Sequence, residues 1–187
     1  ADANLRNATV TGGSLNLSAG RVVAGLPTWR SATATIRGAV TVGNGLLVNS
    51  GGDIAIINGA SINSGNNVVL NSGDDIIIRN STISSAQNVT TSGEIQLNVS
   101  AITPIDALPG EIRSLVIANS TLTSTGYDLI LAADAIDATT GNFNANRLTA
   151  TVNNAPPMGV AGGNDGGLLS ANCVQGNICL GAVATPT

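Results

Sequence analysis

The stretch NSGGDIAIINGASIN, which begins at Asn49, returns almost verbatim as NSGDDIIIRNSTIS, which begins at Asn71. Asn49 matches Asn71, Asp53 matches Asp75, Ile54 matches Ile76, Ile56 matches Ile78 and Asn58 matches Asn80, all at an offset of 22. After a one-residue deletion the series continues at offset 21, with Ile62 on Ile83 and Asn67 on Asn88. SGEIQLNVSAI reads as a third copy, in which Glu94, Ile95 and Leu97 extend the series at an offset of about 19. In a fourth, SLVIANSTLTS, the NST of Asn119–Thr121 repeats that of Asn80–Thr82.

Apolar residues alternate within each copy, as in Ile54/Ile56 and Val68/Leu70. A period of two means short strands with one buried face. A unit of about 20 residues cannot bury its own apolar face, whereas stacked units can. The expected fold is therefore all-β: a right-handed parallel β-helix, wound as a triangular solenoid. Its core ladder is expected to run through Ile54, Ile56, Ile76, Ile78, Ile95 and Leu97. An outer ladder is expected to place Asn49 on Asn71 and Asn58 on Asn80, with side-chain amides bonding along the stack. About seven to nine coils, at a strand spacing of about 4.8 Å, give a rod of about 35–45 Å.

The solenoid is expected over residues 1–152, interrupted by loops at Leu26–Ser31 and Ile102–Arg113. Residues 153–187 are rich in Pro and Gly and read as an irregular tail that covers the last open edge. No cap is visible at the front, as expected of a rod cut from a longer one or stacked on another copy. Ala1 opens on polar text, as a mature or excised chain would.

Composition narrows the function. Charged residues are 10% of the chain and aromatic residues 2%. Histidine is absent, all seven basic residues are Arg, and the net charge is −4. An acidic chain without Lys or a stacking platform is a poor nucleic-acid binder. No apolar run reaches the roughly 18 residues of a membrane helix, so no membrane insertion is expected. β-Helical polysaccharide lyases and hydrolases need paired carboxylates or a basic cluster. Here Asp74 and Asp75 are adjacent, and strand alternation would turn them to opposite sides. Trp29 and Tyr127 alone make a thin sugar groove. The chain is therefore read as not an enzyme and without a cofactor.

Asp53, Asp75 and Glu94 would stack about 5 Å apart, and three such carboxylates could hold Ca²⁺ through oxygen ligands. They are read instead as a solvated column without metal, since repulsion between exposed charges costs only about 1 kcal/mol in water. GGNDGG at Gly162–Gly167 departs from calcium-binding nonapeptide spacing and reads as a loop. The Thr doublets at Thr9/Thr11, Thr33/Thr35, Thr121/Thr123 and Thr149/Thr151 are too unevenly spaced for one ice-binding column. Six Asn-x-Ser/Thr sequons, at Asn7, Asn16, Asn80, Asn88, Asn98 and Asn119, barely exceed chance in so Asn-rich a chain.

CVQGNIC sets Cys173 and Cys179 about a Gln175-Gly176-Asn177 turn. Folded as a hairpin, the two oppose each other with Cα atoms about 4.5–5.5 Å apart, within disulfide range. A bond there is expected, in preference to free thiols, and places the chain outside the reducing cytosol.

With its degenerate repeats of about 20 residues, Asn/Gly/Ser turns and scarce Cys, aromatic and charged residues, the chain resembles the filamentous-haemagglutinin-like exoproteins of bacterial two-partner secretion. The resemblance covers about Asn4 to Val152. It implies a secreted protein of the bacterial surface, an adhesin or its stalk, facing a host receptor or glycan. Some adhesins of this class carry a C-terminal Cys pair that tethers the rod to its outer-membrane transporter, and Cys173 and Cys179 look like that pair. The alternative is a structural subunit whose solenoids stack end to end into an extracellular filament. A polysaccharide-active enzyme is the remaining possibility.

Overall fold

The computed structural model describes residues 1–20, 32–86, 93–99, 112–152, 158–160, 178–180 and 183–184. These residues form strands, turns and bends, without a helix. In chain order the strands are β1 (Ala3–Val10), β2 (Leu15–Ala19), β3 (Ala34–Val42), β4 (Leu46–Ser50), β5 (Ile54–Ile56) and β6 (Ser61–Ser64). β7 (Val68–Ser72), β8 (Ile76–Arg79), β9 (Thr82–Ser85), β10 (Ile95–Val99), β11 (Ser114–Ala118) and β12 (Thr121–Ala133) follow. β13 (Ala135–Ala138), β14 (Asn142–Val152), β15 (Met158–Val160), β16 (Ile178–Leu180) and β17 (Val183–Ala184) complete them.

The pairings sort these strands into three columns. Column A stacks the first part of β1, the first part of β3, then β5, β8, β11, β13 and β16, each parallel to the next. Column B stacks the second parts of β1 and β3, then β6, β9, the first parts of β12 and β14, and β17. Column C stacks β2, β4, β7, β10 and the second parts of β12 and β14. The chain visits A, then B, then C, and begins again one rung on. Parallel strands require such crossovers, because a tight hairpin can join only antiparallel neighbours.

Apolar residues alternate with polar ones, and every second side chain points to a common core. Ile54, Ile56, Ile76 and Ile78 of column A, Ile62 and Ile83 of column B, and Val68, Leu70, Ile95 and Leu97 of column C are all 0% exposed and belong to one cluster. Like stacks on like: Ile54 on Ile76 and Ile56 on Ile78.

The corners explain the Asn, Gly and Ser. Asn7, Asn58, Asn80 and Asn119 hold φ between 48° and 60° where column A turns into column B. Asn tolerates this left-handed region better than other residues with a Cβ. At the turn from B to C the backbones of successive rungs press together. A Cβ on Gly65 would lie 2.4 Å from Gly43 O. Buried serines face the corners from within and bond their carbonyls. The Ser50 hydroxyl donates to Ala32 O (2.8 Å), Ser64 to Asn44 O (2.6 Å) and Ser72 to Gly52 O (2.6 Å).

Two expectations change at this level. Ile95 and Leu97 do not continue the ladder of Ile76 and Ile78. They lie in column C on Val68 and Leu70, while Leu115 and Ile117 take the next rung above Ile76 and Ile78. Each coil carries three similar apolar pairs, so counting residues across an insertion mistakes one column for another. The segment after residue 152 also contributes strands. β15 pairs antiparallel with β14, and β16 and β17 pair parallel with β13 and β14.

Candidate functional site

The turn that enters column A carries acids on four of its rungs, those of β1, β5, β8 and β13, and Asp2, Asp53, Asp75 and Asp134 each bind the backbone of a neighbouring rung. Asp2 Oδ1 accepts from Thr33 N (3.0 Å), Asp53 Oδ1 from Asp75 N (3.3 Å) and Asp75 Oδ1 from Ser114 N (2.7 Å). Asp134 Oδ2 accepts from Arg113 N (3.2 Å) and stands 3.5 Å from Arg113 Nη1. The N–H groups of Thr33, Asp75 and Arg113 sit just ahead of a strand, and that of Ser114 opens β11. A carboxylate that accepts such a bond satisfies an amide that would otherwise lack a partner.

Asp53 and Asp75 are thus neighbours, as their spacing suggests. Glu94 is elsewhere. It precedes β10 in column C, where its N–H donates to Asn67 Oδ1 (3.0 Å). Asp74 takes the place expected of it: Asp53, Asp74 and Asp75 each bring a carboxylate oxygen within 4.8 Å of the others. Asp74 and Asp75 therefore do not splay to opposite sides. They lie in the turn ahead of β8, where strand alternation does not apply.

Burial, above all, pushes the Asp53 carboxyl above its ordinary value. The bond from Asp75 N pulls it down, and the charge of the Asp75 carboxylate raises it again. Three half-buried carboxylates at this spacing are a donor set for a hard cation. Two of them already accept backbone bonds, a job that needs no ion.

The outer amide ladder is longer than its sequence spacing suggests. Asn71 Nδ2 donates to Asn49 Oδ1 (3.0 Å), and Asn98 Nδ2 donates to Asn71 Oδ1 (2.9 Å). The three occupy one position on β4, β7 and β10, flanked by Ser18 on β2 and Ala132 on β12. Asn98 falls outside the repeat offset because it lies 27 residues beyond Asn71, past an insertion. Its text, LNVS in place of LNS, was the available signal. Asn58 and Asn80 belong to a different set: both are exposed corner residues whose shared requirement is the left-handed backbone.

The A-to-B corner also holds a concavity. Asn80, Ser81, Thr82, Asn119 and Thr121, with Gly59 and Ala60, line a cleft of about 390 Å³. Arg79 immediately precedes Asn80 and is exposed. Among the sequons, Asn7, Asn80 and Asn119 are exposed at this corner, Asn16 is exposed on β2, and Asn98 is tied into the ladder. The Thr doublets scatter: Thr9 and Thr121/Thr123 fall in column B, Thr35 in column A and Thr149/Thr151 in column C. Cys173, Trp29, Asn88, the whole loop Leu26–Ser31 and residues 102–111 of the second loop lie outside the described residues. Cys179 is placed in β16, opposite Asp137 of β13.

A scan against protein-family models, a search of curated proteins and a search of solved structures each find no match to this chain.

Proposed function

We propose that the three columns close into a right-handed parallel β-helix, and that the chain is a non-catalytic rod of a secreted bacterial surface protein, an adhesin or its stalk. The observation that carries this reading is unbroken register. The same residue types recur at the same positions along three columns that share one core, as in the Asn49–Asn71–Asn98 ladder. Such an object spends its sequence on length and stiffness. The polar groups brought together at the column A turns serve the backbone, which suits a scaffold better than an enzyme. The resemblance to filamentous-haemagglutinin-like exoproteins supplies the surface setting, with Cys173 and Cys179 as a disulfide-closed loop that engages an outer-membrane transporter.

Mass spectrometry of the unreduced, alkylated protein tests the tether. A mass without added alkyl groups supports it, and two alkylated thiols remove it. Far-ultraviolet circular dichroism tests the fold: an all-β spectrum with a cooperative melt is expected, and helical minima count against it.

A filament of stacked solenoids is the second reading, and it needs an apolar sheet edge that a second copy can cover. Leu5, Leu15 and Leu17 are only partly buried, whereas their partners Ile36, Leu46 and Val48 one rung on are 0% exposed. An apolar sheet edge of this kind can accept another rung. Electron microscopy of the purified chain separates the two: uniform fibres establish the filament, and a persistent monomer leaves the stalk.

A further inference from the structure

Arg6 and Arg37 are register partners on adjacent rungs, so their backbones are about 4.8 Å apart, and both side chains are exposed. Arg79 holds the same strand-end position two rungs further on, after Ile57. Two like charges stacked this closely repel each other, and an anion between them relieves that repulsion. The ion pairs of Arg113 with Asp134 and of Arg147 with Asp128 lie elsewhere. The molecule carries a net charge of −4, yet Asp2, Asp53, Asp74 and Asp75 gather at the opposite edge of column A, and the exposed acid of its outer face, Asp137, stands two rungs above Arg79. A line of positive charge is thereby held apart at the exit corner.

Beside that line, column B turns out an uncharged surface. Ser61, Thr82 and Thr121 form one outward line, and Asn63, Ser84 and Thr123 form a second. The cleft lined by Asn80, Asn119, Thr82 and Thr121 sits where this surface meets the corner. Hydroxyls and amides repeated at the rung spacing suit a ligand that repeats hydroxyls along its own length. Guanidinium groups suit carboxylate or sulfate, which they can grip through two parallel bonds. Single-stranded nucleic acid fits less well, because the described residues that line the cleft include no aromatic side chain to stack its bases.

We propose that the corner between columns A and B is a binding track for a linear acidic polysaccharide. Arg6, Arg37 and Arg79 take its anionic groups, and Asn80, Asn119, Thr82 and Thr121 take its sugar hydroxyls. The inference deepens the adhesin reading above and rests on it for its biological setting.

The test is affinity of the full chain for four probes of matched length: a polygalacturonate oligomer, a heparin oligomer, neutral dextran and single-stranded DNA. One or both acidic sugars are expected to bind, more weakly as salt rises. Polygalacturonate binding assigns the carboxylate as the recognised anion, and heparin binding assigns the sulfate. The combined variant Arg6→Gln, Arg37→Gln, Arg79→Gln is expected to bind roughly tenfold or more weakly with a melting temperature no lower than the parent's. The pair Thr82→Val and Thr121→Val should weaken binding without changing its salt dependence. Failure of both acidic sugars to bind overturns the track, as does equal binding of dextran or DNA, or full affinity in the arginine variant. Circular dichroism on the same samples keeps the outcomes separate, since an intact all-β fold without glycan binding sinks this inference alone.

Discussion

Asn71 both donates and accepts in the amide ladder, so it is the residue on which the outer stack depends. Asn71→Ala leaves Asn49 Oδ1 and Asn98 Nδ2 without their partner in half-buried positions. A loss of about 1–2 kcal/mol is expected in chemical denaturation. The ladder can also be lengthened. Ala132 stands next above Asn98, and Ala132→Asn should add one amide bond and about 0.5–1 kcal/mol. A destabilised Ala132→Asn would show that register at this position is not what holds the amides together. Asp53 gives a pH-dependent test. Its raised value means that the native state keeps this proton to higher pH than the unfolded chain, so stability falls as pH rises through the native value. Asn keeps an oxygen for Asp75 N and carries no charge. Asp53→Asn should therefore raise the melting temperature at neutral pH and match the parent near about pH 3, where both states bind the proton. A variant less stable than the parent at neutral pH would contradict the burial argument. Gly65→Ala would drive a Cβ onto Gly43 O, and a loss of about 1–3 kcal/mol is expected on thermal denaturation.

At the scale of strands, the offset of 22 was the legible part. It places Ile54 under Ile76, Ile56 under Ile78 and Asn49 under Asn71, because β4 to β8 are joined without insertions. The same counting fails at β10. A coil has three apolar pairs, and nothing in IQL distinguishes a strand of column C from one of column A. Only pairing of Ile95 with Val68 assigns it. Counting across the insertion misplaces Glu94 for the same reason, and the place beside Asp53 and Asp75 belongs to Asp74. Strand alternation does not reach Asp74, because it lies in a turn. The acids themselves are easy to find in sequence, but their service to the next rung's amides is not, because the partner amides lie 22 to 39 residues away. The corner cleft was half legible: the repeated NST of Asn80–Thr82 and Asn119–Thr121 supplies most of its lining, while the concavity follows only from their stacking across an insertion.

The molecule as a whole reads as a stack in which each rung repeats the chemistry of the last. Stability in such an array comes mainly from nearest neighbours. The stack also sets up an asymmetry, with acids at one edge of column A and three arginines at the other. The claim beneath every other one is that distant rungs lie directly above one another. Asn16, Leu47, Val69, Gln96, Ile130 and Thr149 are successive register partners along column C. The most direct measurement is the spin-label distance between Asn16→Cys and Thr149→Cys in a Cys173→Ser, Cys179→Ser background. Five steps along the column should separate the two backbones by about 24 Å, with a narrow distribution. A broad distribution, or one centred beyond about twice that distance, would mean that the rungs do not stack in this register.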